Sequence, residues 1–119
     1  MIRIPVHEYC VAAKDAYIPV PARGIVVEFK GSFSETVAAD DTVDLLQGSN
    51  SVNKITVGAA NVAEGVVLTG TRDTTNKELI FDPASSTAAN KVIKISISAL
   101  VTNPTTFNGY ILFDDMAIK

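Results

Sequence analysis

The chain has 119 residues, enough for one domain with its own core and no need of disulfide staples. Its hydrophobic fraction of 47% and mean hydropathy of +0.25 exclude an intrinsically disordered chain. The formal net charge is -3, and Arg3, Arg23 and Arg72 lie far apart, so there is no cationic run for a phosphate backbone and no nucleic-acid partner is expected. Charged residues make up 19%, below the typical proportion of about a quarter, which points to surface covered by another copy or another protein. Cys10 is the only cysteine, so no intrachain disulfide forms; it reads as a small buried hydrophobe. No apolar run approaches the roughly 20 residues of a membrane span, so none is expected. Residues 1–10 lack the apolar centre of a signal peptide, so the chain is expected to be intracellular in origin or already processed.

In chain order, residues 1–23 are interrupted by Pro5, Pro19 and Pro21. Each proline lacks a backbone donor, so this stretch cannot be a regular central strand. It is expected to be an edge strand plus an extended arm, attached to a single domain at 24–119. Its apolar and aromatic residues, Ile2, Ile4, Val6, Tyr9, Tyr17, Ile18 and Val20, are the expected subunit interface. In Gly24–Lys30, Ile25, Val27 and Phe29 alternate with Val26, Glu28 and Lys30, the period of a strand with one core face. Ser34–Ala39 reads as a short turn. Thr42–Gln47, Lys54–Val57, Gly65–Thr69 and Lys77–Asp82 read as strands, separated by Gly-, Asn-, Asp-, Ser- and Thr-rich turns at 48–51, 58–64 and 70–76. Ala59–Glu64 has room for one helical turn. Lys91–Ala99 alternates most cleanly, with Ile93, Ile95 and Ile97 against Lys94, Ser96 and Ser98. Gly109–Phe113 is the last strand, resuming through Met116–Ile118. The predicted fold is all-β: an antiparallel, jelly-roll-like sandwich of about seven or eight strands, preceded by the proline-containing arm.

Candidate chemistry is sparse. His7 is the only histidine, and with Cys10 it falls short of the three or four ligands of a zinc site. The two also point to opposite faces of an extended strand. No Gly-x-Ser-x-Gly elbow, Walker A pattern or dinucleotide-binding glycine motif occurs. Asp40-Asp41, with Asp44 nearby, and Asp114-Asp115 are paired carboxylates. They are read as turn caps, with calcium binding the alternative, since Ca²⁺ takes several oxygen ligands. Paired carboxylates also serve glycoside hydrolysis, but those enzymes usually bring aromatic platforms, and here Trp is absent. No enzyme activity and no cofactor are expected. Phe29, Phe81 and Phe113 sit in strand patterns and read as core. Tyr9, Tyr17 and Tyr110 are the surface candidates, because a hydroxyl favours a wet edge.

Two stretches resemble known protein types. Phe107–Ile118, an apolar run meeting an acidic pair and then resuming, looks like the final strand of many jelly-roll modules, including carbohydrate-binding ones. Asp41–Asp82, with short Val/Thr/Ile strands and Gly-Ala-Asn-Thr turns, resembles the small β-rich structural proteins of tailed and icosahedral bacteriophages. That second resemblance implies a capsid, minor capsid or decoration protein. Its partners would be its own copies and other virion proteins, in a homo-oligomer with a trimer favoured. It would be assembled in the host cytoplasm and located in the virion. The first implies, as the alternative, a carbohydrate-binding or adhesin-like module, with Tyr110 and Asp114-Asp115 near its ligand or calcium. The absence of tryptophan and of a signal segment moves weight to the virion reading.

Overall fold

The structure is a computed structural model, described here over residues 1–38, 40–58, 61–98 and 105–116. Its strands are β1 (Ile2–Cys10), β2 (Lys14–Pro19), β3 (Gly24–Phe33), β4 (Thr42–Gln47), β5 (Asn50–Thr56), β6 (Leu68–Thr69), β7 (Thr71–Arg72), β8 (Val92–Ile97) and β9 (Thr105–Asp115). One 3-10 turn, Ala88–Asn90, precedes β8. Two antiparallel sheets, in the orders β1-β9-β3-β6 and β2-β8-β4-β5-β7, pack into a sandwich. The pairing is nested: β1 with β9, β2 with β8, β3 with β6, and β4 with β5 at the centre. That is the winding of a jelly roll, with the two-residue β7 added at one edge.

Local sequence explains the central elements. β4 and β5 are joined by Gly48-Ser49, and Gly48 takes φ +61°, the sense that two-residue hairpin loops need to match strand twist. Alternation in β8 buries Ile93, Ile95 and Ile97 at 0%, 0% and 2% exposure. In β4 it buries Val43 and Leu45. All five phenylalanines are core. Phe33 and Phe29 pack their rings on Phe107, with centroids 5.1 and 5.6 Å apart, at one end of the sandwich. Phe81 and Phe113, 6.5 Å apart, fill the other. Burial of these rings and of the aliphatic stripes between them supplies the main stabilisation.

Several expectations are corrected. Residues 1–23 hold edge strands as expected, but not an arm attached to a domain: β1 and β2 are strands of the sandwich itself, paired along β9 and β8. Pro5 and Pro19 are tolerated because each strand ends its sheet, where one row of donors has no ladder to complete. In β3 the expected inward face holds at Phe29 and is reversed before it. A bulge between Val26 and Glu28 adds a residue, so Val26 and Phe29 are buried while Ile25 and Val27 are only partly so. Of Gly65–Thr69 only Leu68–Thr69 is strand. Lys77–Asp82 is turn and irregular chain, touching the ladder through a single Gly24–Phe81 bridge that seats the Phe81 ring. β5 starts earlier than expected, at Asn50, and β9 at Thr105. Val37 bridges Val62 within the expected turns at 34–39 and 59–64. Ala39, Ala59, Ala60, Ala99, Ala117 and Ile118, which belong to expected elements, lie outside the described residues.

Candidate interaction surfaces

The two sides of the sandwich differ. β3 lies against β5 and β7, and β6 against β5, so the β6 and β7 ends of the two sheets come together. There the chain steps from one sheet to the other through Gly70 alone. A Cβ at Gly70 would lie 2.1 Å from Asn53 Oδ1, so a larger residue at this crossing would have to displace the Asn53 side chain. β1 and β2 therefore end their sheets together on the opposite side, linked by the three exposed residues Val11, Ala12 and Ala13.

The expected interface residues divide along these strands. Ile4, Val6 and Val20 belong to the chain's own core, at 8%, 3% and 5% exposure, and have no free face to offer a partner. Alternation decides this: Ile4 and Val6 share the inward face of β1 with Cys10. Ile2 and Ile18 pack on the core and are half-buried. Tyr9 and Tyr17 are each 60% exposed, on the outward faces of β1 and β2. Val11, at 65%, joins them and was not singled out by the sequence, because its place at the tip of the β1–β2 link is not visible locally.

Charges on this side are matched. Lys14 Nζ lies 2.9 Å from Glu8 Oε1, and that hydrogen bond pushes the Lys14 ammonium up, with burial weakly opposing. Lys94 Nζ lies 3.7 Å from Asp15 Oδ2. Burial pushes the Cys10 thiol up, against the opposing pull of Lys14 and with the help of Glu8. A fully buried thiol held protonated is a poor nucleophile. His7 and Cys10 do point to opposite faces of β1, His7 outward and Cys10 inward.

The structure does not bring the two acidic pairs together. Asp41 lies at the start of β4, where its Oδ1 accepts from Ser98 Oγ at 3.1 Å and its backbone carbonyl accepts from Val57 N–H at 2.8 Å. Asp40 beside it takes φ 68°, a left-handed conformation that Asp tolerates. Asp114 and Asp115 end β9 at the opposite end of the sandwich, where Asp115 Oδ1 pairs with the Met1 ammonium at 2.9 Å. Among the described residues, no group of three or more His, Cys, Asp or Glu is placed to hold a metal. Asp44 faces outward from β4; burial pushes its carboxyl up, opposed by a hydrogen bond from Ser51 and by Lys54. Turns are capped instead by Asp73, which accepts from Thr75 and Asn76 N–H, and by Asp82, which accepts from Ala84 N–H.

The outer face of the β1-β9-β3-β6 sheet carries a second surface. The ladder aligns Pro5, Tyr110 and Lys30 in one outward row, and His7, Asn108 and Ser32 in the next. Between the rows runs the Gly109–Gly31 pair, and above it lies a groove of about 290 Å³ closed at the β6 end by Val67. Arg3 stacks its guanidinium 4.4 Å from the Tyr110 ring centroid. His7 Nδ1 is hydrogen-bonded to Asn108 Oδ1, and Lys30 Nζ lies 3.0 Å from Glu28 Oε1. That pairing with Glu28 pushes the Lys30 ammonium up.

No family model, curated protein or solved structure matches the chain. Among the described residues, no helix is long and apolar enough to cross a membrane.

Proposed function

We propose that this chain is a non-enzymatic structural subunit of a virion, a capsid, minor capsid or decoration protein that works through subunit contacts. One observation carries the reading: β1 and β2 end their sheets on the same side and expose Tyr9, Val11 and Tyr17 there. Soluble monomers usually blunt such edges with charge, proline, bulges or covering loops, and here Pro5, Lys14, Asp15 and Pro19 do so only beside the exposed aromatics. β2 pairs with β8 without a bulge and places Tyr17 outward at its middle. Aromatic residues on a short regular edge are the material of a protein contact, giving apolar area with a hydroxyl at the rim. The jelly-roll winding agrees, since capsid domains use it, but lectins use it too, so the fold alone carries no function. Repetition of one side among identical copies gives a closed symmetric oligomer, and a trimer is favoured by the resemblance to small phage structural proteins.

Size-exclusion chromatography with light scattering tests the proposal. A particle larger than one chain is expected, reverting to single chains when Tyr9→Lys and Tyr17→Lys are combined. A monodisperse single chain at every concentration would contradict it. The flanking genes give an independent check: portal, terminase or capsid genes are expected, and polysaccharide-degrading enzymes would reverse the reading.

A further inference from the structure

We infer that the groove over Gly31 and Gly109 is a binding site for one neutral sugar ring, such as the terminal residue of a surface glycan. The inference does not depend on the assembly role proposed above. The groove combines the three elements that recognise a pyranose. The first is an aromatic wall. Tyr110 stands on the middle strand of the face, held from the β1 side by the Arg3 guanidinium 4.4 Å from its centroid, while the groove meets it from the β3 side. A ring fixed in this way presents an apolar surface to the C–H face of a sugar without first having to be ordered.

The second element is a polar wall. Asn108, Ser32 and Lys30 line the groove and offer an amide, a hydroxyl and an ammonium to sugar hydroxyls. His7 Nδ1 is bonded to Asn108 Oδ1, which leaves the Asn108 amide N–H₂ as the donor on that wall. Lys30 is already paired with Glu28 at 3.0 Å, so the groove carries no unmatched cation to demand an acidic ligand. This favours a neutral sugar over a sulfate, a phosphate or a uronic acid.

The third element is a bare floor. A Cβ on Gly31 would lie 2.2 Å from the Phe107 ring, and one on Gly109 would lie 2.1 Å from the Lys30 carbonyl oxygen. Both positions are thus held to glycine from beneath, and the two strands approach closely across them. The pair lies in the inward-facing row of the ladder, level with buried Val6, so no side chain rises from the floor into the groove. The groove of about 290 Å³ is at the lower end of ligand-pocket sizes, which suits a single ring and not a buried chain. Two other depressions, beside Arg72 and beside Ser96, lack an aromatic wall.

The test is a titration of ¹⁵N-labelled protein with methyl glycosides of glucose, galactose, mannose and N-acetylglucosamine, followed by amide shifts. At least one is expected to shift Gly31, Gly109 and Val67 saturably, as expected for a site that touches this floor. Asn108→Ala, an exposed position, is expected to weaken that sugar about ten-fold or more. Val67→Glu, which places a longer charged side chain at the closed end, is expected to do the same with an unchanged unfolding midpoint. Shifts confined to other residues, or none that saturate with any of the four, would overturn the inference. Affinity unchanged from that of the unsubstituted protein in both variants would overturn it as well.

Discussion

The two sides of this sandwich solve the problem of the open sheet edge in opposite ways. On one side β6 and β7 are two residues each, and the neighbouring edge is closed by loops: Gly70 N–H bonds to Phe29 C=O, Asp73 N–H to Val52 C=O, and Phe81 bridges Gly24. On the other side β1 and β2 run nine and six residues as full ladders and then stop. Loops satisfy an edge within the chain; a full-length end strand leaves its outer row to solvent or to a partner. The exposed aromatics follow the same division, since Tyr9 and Tyr17 lie on the ladder side. A side that is both structurally integral and exposed can transmit a contact directly into the core.

Removing residues 1–23 is the largest test of this contrast. It deletes two strands and uncovers the long flanks of β9 and β8, so loss of cooperative unfolding is expected by denaturant titration. A truncated chain that still unfolds cooperatively would restore the picture of a detachable arm. Ile4→Ala comes next, expected to cost about 2–5 kcal/mol because the side chain is core. Val67→Ala, on the loop-closed side and 66% exposed, is expected to stay within about 0.5 kcal/mol. The smallest effect concerns Asp44. Burial raises its folded pKa, so the fold favours the protonated form. Its contribution is therefore present below the unfolded pKa and lost as pH rises through the folded one. Asp44→Asn keeps an acceptor for Ser51 and is expected to raise the unfolding midpoint slightly at neutral pH. That gain should vanish in acid below the ordinary aspartate range.

Much of the fold is legible in local alternation. Thr42–Gln47 is a strand with the expected bounds, and the Ile93, Ile95 and Ile97 stripe faces the core. The misreadings have physical causes that lie outside any local window. The β3 bulge at Val27 exchanges the faces of the residues before it, so Val26 and not Ile25 is buried while Phe29 keeps its expected place, and a period-two pattern cannot register one added residue. Pro5 and Pro19 rightly mark edge strands, but they also suggest an extended arm, because the sequence does not reveal that both segments pair along their full length. Phe81 reads as strand because it is apolar, whereas it is a core plug held by one bridge. Tyr9 and Tyr17 were legible as surface residues from their hydroxyls. Ile4, Val6 and Val20 were not legible as core, since that depends on pairing with Ile111, Gly109 and Lys91, far along the chain. The groove was not legible either. It arises from the Gly31–Gly109 register, which joins distant strands, and only Tyr110 marked it in advance.

The most direct test of the central claim, that the β1–β2 side is where copies meet, is hydrogen exchange followed over a range of protein concentrations. Amides in Ile2–Cys10 and Lys14–Pro19 are expected to gain protection as concentration rises, while those in the 65–82 region exchange at constant rates. Protection that never changes with concentration, or that grows on the β6–β7 side instead, would contradict the account.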